Sequence, residues 1–320
     1  MMEREVFGNA AASRQCALVT GGTGLIGTAL CAYLIQQGYD VLVLTRNRQS
    51  TDKASQTKNH IRFIDSLDRI AETDKIDAII NLAGESINQR WTKAVKQRLI
   101  DSRLGITRQL ITLIERLHTK PRVLLSGSAI GVYGTSDTMV FTEDTAPSVA
   151  VTGAFSHSLC TQWEAMALQA NTYGVRTCLL RTGVVLSPKG GALGAMLLPF
   201  KLGLGGPIGS GQQWFSWIHI EDMIALIAYV LAHPVSGAVN ATAPHPVTNR
   251  IFAQTLGRTL KRPSVLTMPA FVVNILFGTM GQELLLSGQH VVPTRMLELG
   301  FKFTYPQLDQ ALQQLMGAHR

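Results

Sequence analysis

Residues 20–27 read Thr20-Gly21-Gly22-Thr23-Gly24-Leu25-Ile26-Gly27. Just before them lies the apolar run Cys16-Ala-Leu-Val-Thr20. Just after, Ile26, Ala29, Leu30, Tyr33 and Leu34 recur at helical spacing until Gly38 stops the pattern. A buried strand, a glycine turn and a helix, in that order, form the context in which such glycines cradle a dinucleotide pyrophosphate. Gly21 permits the tight turn, Gly24 lets the backbone approach the phosphates, and Gly27 lets helix and strand pack closely. The helix N-terminus adds unpaired N–H groups and partial positive charge. The expected cofactor cradle is therefore Gly21, Gly22, Thr23, Gly24, Leu25, Ile26 and Gly27.

Outward from this turn, apolar runs alternate with amphipathic ones. Val41-Leu-Val-Leu-Thr45, Ile61-Arg-Phe-Ile64, Asp77-Ala-Ile-Ile-Asn-Leu82, Arg122-Val-Leu-Leu-Ser126 and Val175-Arg-Thr-Cys-Leu-Leu-Arg181 read as strands. A long helix over 92–117 and a second over 158–171 fall between them. Strands apolar along their whole length, separated by helices, predict an α/β fold. It is a Rossmann-like doubly wound parallel sheet covered on both faces. After Val185 the texture changes, with glycines crowding 190–211 and Trp214 and Trp217 following. The expected organisation is a flexible tail over 1–15 and a Rossmann NADP-binding domain over 16–185. A smaller, mostly helical substrate-capping region covers 186–320, with a strand near 237–241 returning to the sheet.

The 320 residues are 46% hydrophobic and 16% charged, which excludes a disordered, collagen-like or coiled-coil chain. Lys and Arg outnumber Asp and Glu by 29 to 21, a net charge of +8. These cations are scattered, without a dense run, so an anionic small ligand is expected and nucleic acid is not. The four cysteines, Cys16, Cys31, Cys160 and Cys178, form no C-x-x-C pair. Free thiols point to a reducing compartment, so a cytoplasmic protein is expected. No apolar core opens the first residues, so no secretory signal is read there. The most membrane-like stretch, Pro263 to Gln282, lacks charge, but its apolar centre Phe271 to Phe277 is too short to span. No metal-ligand cluster, P-loop lysine or Gly-x-Ser-x-Gly elbow is present.

The end of the second strand discriminates between cofactors. An NAD site usually has Asp or Glu there to hold the ribose hydroxyls. Here the chain reads Thr45-Arg46-Asn47-Arg48. A carboxylate would repel a 2′-phosphate, whereas arginine binds it through charge-assisted bonds. Thr45 and Arg46, with Arg48, thus point to NADP(H); the competing reading is that the arginines are solvated loop charges. The same absence of an acid counts against an S-adenosylmethionine site. Leu82, Ala83 and Gly84 leave the fourth strand where the carboxyl edge faces the ligand, beside adenosine ribose and pyrophosphate. Arg103 shares a helix face with Lys96 and Thr107 and either reaches the cofactor or remains a surface charge.

The motifs beyond the glycine turn are specific. They include Asn81-Leu-Ala-Gly-Glu-Ser86, Arg90-Trp91, Asp101-Ser102-Arg103, Ser126-Gly-Ser-Ala129 and Gln162-Trp163-Glu164. Arg181-Thr-Gly-Val-Val-Leu186, Gly190-Gly-Ala-Leu193, Leu202-Gly-Leu-Gly-Gly-Pro-Ile-Gly-Ser-Gly211, Trp217-Ile-His-Ile-Glu-Asp222 and Leu286-Ser-Gly-Gln289 continue the series. With these residues the chain resembles the extended short-chain dehydrogenase/reductase superfamily. Within it, the chain is similar to the YfcH-type epimerase family, which has its own C-terminal domain. The resemblance implies a nicotinamide cofactor, a small-molecule substrate, and Val185 approaching the nicotinamide side. It also implies Ser128 as the serine that orients the substrate oxygen. A homodimer through the long helix is a further possibility in this superfamily.

The superfamily's Tyr-x-x-x-Lys pair is missing. Counted back from Trp163-Glu164, its Tyr falls at or beside Phe155/Ser156 and its Lys at Cys160. Tyr133, His157 and Glu85 are the substitutes considered, each with a structural alternative: Val-Tyr-Gly packing, a helix-start histidine and a solvated carboxylate near the nicotinamide face. Trp214, Trp217, His219 and Asp222 are read as pocket-edge residues or as core and helix-start groups. The leading expectation is an NADP(H)-binding oxidoreductase or epimerase acting on an unidentified carbonyl or nucleotide-sugar-like molecule. The alternatives are a non-catalytic NADP(H)-binding regulator or redox sensor, and a scaffold that kept only the fold.

Overall fold

The computed structural model describes residues 14–46, 60–146 and 154–317. Arg48 lies outside them. Within the first half, β1 (Cys16–Thr20), α1 (Leu25–Gln36), β2 (Asp40–Leu44), β3 (Ile61–Ile64) and β4 (Ala78–Asn81) follow in order. Next come α2 (Lys93–Ile100), α3 (Ile106–Arg116), β5 (Val123–Ala129), β6 (Val140–Phe141), α4 (Phe155–Leu168) and β7 (Arg176–Thr182). The second half holds β8 (Val184–Leu186), α5 (Gly191–Lys201), β9 (Trp214–Phe215), β10 (Trp217–His219), α6 (Ile220–Ala232) and β11 (Gly237–Ala241). It ends with β12 (Val247–Thr248), α7 (Asn249–Leu260), α8 (Ala270–Phe277), α9 (Thr279–Leu284), β13 (His290–Val291), α10 (Thr294–Glu298) and α11 (Leu308–Gly317).

Seven parallel strands form one sheet in the order β11-β7-β5-β4-β1-β2-β3. The order reverses beside β1, which puts the glycine turn at the switch point where dinucleotides bind. Alternation along the strands explains why both faces need cover. Ala17 and Val19, with Val41 and Val43, pack beneath Leu30 of α1 and Met223 and Ile227 of α6. Leu18 and Leu42 point the other way, into Leu110 and Ile114 of α3 and Ala167 of α4. A third core, built on Phe200, Trp217, Phe252, Leu256 and Leu312, belongs to the second half. None of the described helices is long and apolar enough to cross a membrane.

One expected element differs. The helix predicted over 92–117 is broken into α2 and α3 by a π-helical turn at Asp101–Gly105. The hydroxyls of Ser102 and Thr107 donate to the carbonyls of Leu99 and Arg103 at 3.1 and 2.7 Å. Such back-bonding competes with the helical ladder, and π turns often mark functional sites.

Candidate functional site

The glycine turn is built by steric necessity. Gly21 has φ +70°, and a Cβ there would lie 2.6 Å from the Leu82 carbonyl oxygen. The Gly24 amide closes the turn on the Gly21 carbonyl at 3.0 Å. A Cβ on Gly27 would run into that same carbonyl oxygen. Gly24 is the N-cap of α1 and brings no side-chain cap, so the first-turn N–H groups are served by no side chain of the cap residue. These are the features a pyrophosphate needs, and a nicotinamide dinucleotide fits the cradle. On the far side, Leu25 packs at 3.2 Å from where a Gly191 Cβ would stand, and that position lies 3.7 Å from the Val185 carbonyl oxygen. The turn, Val185 and the start of α5 therefore meet.

A buried polar chain holds the strand ends together. Thr20 Oγ1 donates to Asn81 Oδ1 at 2.7 Å, and Asn81 Nδ2 donates to Thr107 Oγ1 at 2.9 Å. Trp163 Nε1 donates to the same hydroxyl at 3.0 Å. All three polar partners are buried, so each bond is stronger than it would be in water. The result positions Leu82, Ala83 and Gly84. The polar Asn81 inside an apolar strand was the one sequence signal of this network.

Arg103 leans across that backbone. Its Nη2 donates to the Glu85 carbonyl at 3.1 Å and its Nη1 to the Leu99 carbonyl at 3.2 Å. A Cβ on Gly84 would stand 3.0 Å from its Cζ, and the guanidinium lies over the Trp163 ring at 5.4 Å. Burial pulls its pKa down, with Cys160 and Glu85 opposing. A guanidinium stays charged regardless. Arg103 thus puts a cation over Trp163, one helical turn after Cys160, where the resemblance puts the superfamily's Lys. Arg46 stands exposed past the end of β2, and Thr45 beside it is half-buried. Glu85 accepts from Gln89 Nε2 at 3.0 Å and Arg98 Nε at 3.1 Å. Those bonds, with the nearby charges of Arg98 and Arg46, hold its carboxyl below the ordinary range. It is an ionised acceptor held by Gln89 and Arg98.

At the expected Tyr position, Ser156 meets a carboxylate from far along the chain. Glu283 of α9 accepts from Phe155 N at 3.0 Å, Ser156 N at 2.9 Å and Ser156 Oγ at 2.7 Å. The N-cap of α4, Ala154, has no side-chain cap of its own. Glu283 supplies it, and the charge also suits the helix dipole.

Ser128 is 5% exposed and donates to Glu164 Oε1 at 2.7 Å. Glu164 is paired side-on with Arg181, Nε to Oε1 and Nη2 to Oε2 both at 2.9 Å. Arg181 Nη1 donates to Tyr133 Oη at 2.9 Å, and that hydroxyl donates to Asn240 Oδ1 at 2.7 Å. Burial works against the Arg181 charge, but the bonded Glu164 outweighs it and raises the pKa. Burial raises Tyr133, with Arg181 opposing. Tyr133 is fully buried, so it is a structural hydroxyl.

The remaining candidates separate cleanly. Trp217 is core, while Trp214 stacks on His290 with ring centroids 3.9 Å apart. His219 Nδ1 accepts from Glu221 N at 3.1 Å and caps α6. Asp222 is buried and accepts from Thr304 N at 2.7 Å and Tyr305 N at 2.9 Å, tying down the C-terminal segment. His157 Nδ1 sits 2.6 Å from the Val132 carbonyl. Burial pushes the Cys160 thiol up to about 12. The sequence reading missed Glu164, Arg181 and Glu283, whose partners are distant in the chain.

Residues 17–242 match the NAD dependent epimerase/dehydratase family, and residues 268–315 match DUF1731, a domain of unknown function. The chain is 40% identical over 301 residues to the epimerase family protein YfhF of Bacillus subtilis, covering 93% of this chain and 97% of that one. To the human epimerase family protein SDR39U1 it is 38% identical over 306 residues, 94% of this chain and 99% of the relative. A crystal structure of human SDR39U1 (isoform 2) with NADPH is similar at TM-score 0.84 and 35% identity, over 95% of this chain and 99% of that one. The UDP-glucuronic acid 4-epimerase of Bacillus cereus in complex with NAD shares the fold at TM-score 0.73 and 16% identity, over 93% and 94% of the two chains. The first match spans the sheet and its glycine turn, and the relatives align almost end to end. The chain therefore belongs to the NAD dependent epimerase/dehydratase family of the extended short-chain dehydrogenase/reductase superfamily.

Proposed function

We propose that this protein is an NADP(H)-dependent oxidoreductase or epimerase for a small carbonyl or nucleotide-sugar-like substrate. In this reading Arg103 and the Glu283–Ser156 couple stand in for the missing Tyr and Lys. The observation that carries it is that both vacated positions are refilled from other elements. The Arg103 guanidinium lies over the ring of Trp163, one helical turn from Cys160, and a carboxylate arrives on Ser156. Gly21 to Gly27 and Leu82 to Gly84 hold the cofactor, which supplies or accepts a hydride when bound. Glu283 takes up or returns the proton of the substrate hydroxyl, and Ser156 keeps its carboxylate in place. Arg103 favours the negative charge that develops beside it. Ser128 spends its hydrogen bond on Glu164, leaving its oxygen to accept a bond from a second substrate hydroxyl. The relative with NADPH bound and the exposed Arg46 both support NADP(H) over NAD(H).

The regulator reading draws on the absence of the Tyr-x-x-x-Lys pair. A thiol-based sensor has little support. Cys31, Cys160 and Cys178 are buried, and burial pushes each thiol up to about 12. Thiolate is then scarce at neutral pH.

Arg46→Ala is expected to weaken NADPH by about 10–100-fold, the loss of one or two charge-assisted bonds, with NADH almost unchanged. Calorimetric titration with both nucleotides reads this directly; equal losses would remove the 2′-phosphate assignment. For the chemistry, NADPH oxidation is followed against a carbonyl and nucleotide-sugar panel. With any substrate found, Glu283→Gln is expected to lower kcat by about 100-fold or more and leave NADPH affinity intact. An unchanged kcat would reject Glu283. A wild-type protein that binds NADPH but turns over nothing would favour the regulator.

A further inference from the structure

The uncharged stretch 263–282 lies mostly on the surface. Within α8, Val273 alone is buried, while Phe271 and Ile275 are each 65% exposed. They stand one turn apart and so share a face. Val265, 78% exposed, with Leu266 and Met268, adds exposed apolar side chains just ahead of α8. The end of α5 runs alongside. Ile208 bridges Met268, Arg262 Nε donates to the Lys201 carbonyl at 3.0 Å, and a Cβ on Gly203 would stand 3.4 Å from Pro263. Leu198, Leu202 and Leu204, all exposed, lie at or just beyond this end of α5. Isolated exposed leucines need no explanation, but a concentration of this size marks an interaction surface.

Charge identifies the occupant. From Leu186 to Gln282 the only acidic residues are Glu221 and Asp222. Asp222 is buried, and Glu221 is held by Tyr305 and Gln314. The next acid, Glu283, is turned onto the start of α4. Lys201, Lys261 and Arg262 are exposed beside the apolar face. A second copy docked on this face would bring the same three cations to both sides of the contact, with no free acid of this segment opposite them. An apolar face bordered by Lys201, Lys261 and Arg262 instead matches an anionic lipid surface. Phe271, Ile275 and Val265 would enter the headgroup–acyl boundary, with Lys and Arg on the phosphates.

We propose that this face docks the protein on anionic membrane surfaces, independently of what the active site does. The test is co-sedimentation of the full chain with vesicles of phosphatidylcholine alone or mixed with phosphatidylglycerol. Binding is expected to be about 100-fold tighter to the mixed vesicles, from three cations near the surface, and to fall with salt. The double variant Phe271→Ser and Ile275→Ser should lose binding by about 10-fold or more while keeping wild-type NADPH affinity and melting temperature. Replacing Lys201, Lys261 and Arg262 by Gln should remove the preference for phosphatidylglycerol. No binding to either vesicle, or no effect of the serine substitutions, overturns the proposal. So does concentration-dependent self-association in the ultracentrifuge that these substitutions abolish, which would make the face an interface between copies.

Discussion

Arg181→Met is expected to destabilise the protein by about 3–5 kcal/mol, the range for removing one partner of a buried ion pair. Glu164 would be left charged and 6% exposed, without the two bonds that now compensate its desolvation. Ser128 and Tyr133 depend on the same pair, so the damage reaches the strand ends facing the ligand. The double variant Glu164→Met with Arg181→Met should recover part of the loss, since no unpaired charge remains. It should not recover all of it, because the Ser128 and Tyr133 hydroxyls each lose a partner. Urea unfolding of the three proteins measures this. A loss below about 1 kcal/mol for the single variant would mean that the pair behaves as a solvated one.

Gly27→Ala is expected to abolish binding of NADPH and NADH alike, by about 100-fold or more, which is about 2.7 kcal/mol. The new methyl would meet the Gly21 carbonyl, so α1 must move away from the turn that its N-terminus completes. Gly24→Ala is the informative companion. Its Cβ would stand 3.3 Å from the Gly21 oxygen, a tight but tolerable contact. Melting temperature should then stay near wild type while nucleotide affinity falls, because Gly24 is where the phosphates need bare backbone. If Gly24→Ala binds nucleotide normally, the pyrophosphate does not lie over that residue. The two substitutions together separate a cradle that collapses from a cradle that is filled.

The elements on which these predictions rest differ in how far they could be read in advance. The seven strands and the glycine turn announce themselves, because strand and helix periodicity are local properties of the chain. The absence of a carboxylate after β2 is equally local. The break at Asp101–Gly105 was not foreseen, since the apolar pattern continues through it; side-chain hydroxyls bonding to helix carbonyls decide it. The bonds that hold Glu85 were hidden for a related reason. Its partners Gln89 and Arg98 lie 4 and 13 residues further on, from an irregular loop, and chain order alone does not say which way a loop faces.

Sequence alone was enough for the parallel sheet, its switch point and the cradle, since each follows from hydrophobic period and from glycines where a Cβ has no room. It was also enough to read that no Tyr is followed by Lys four residues on. The groups proposed in their place were brought there only by folding. Glu283 reaches Ser156 across 127 residues, and Arg103, on a π turn, comes over Trp163 of α4. Such pairings carry no period and no spacing. They exist because packing α9 and α3 against α4 brings a charge and its complement into the same small volume.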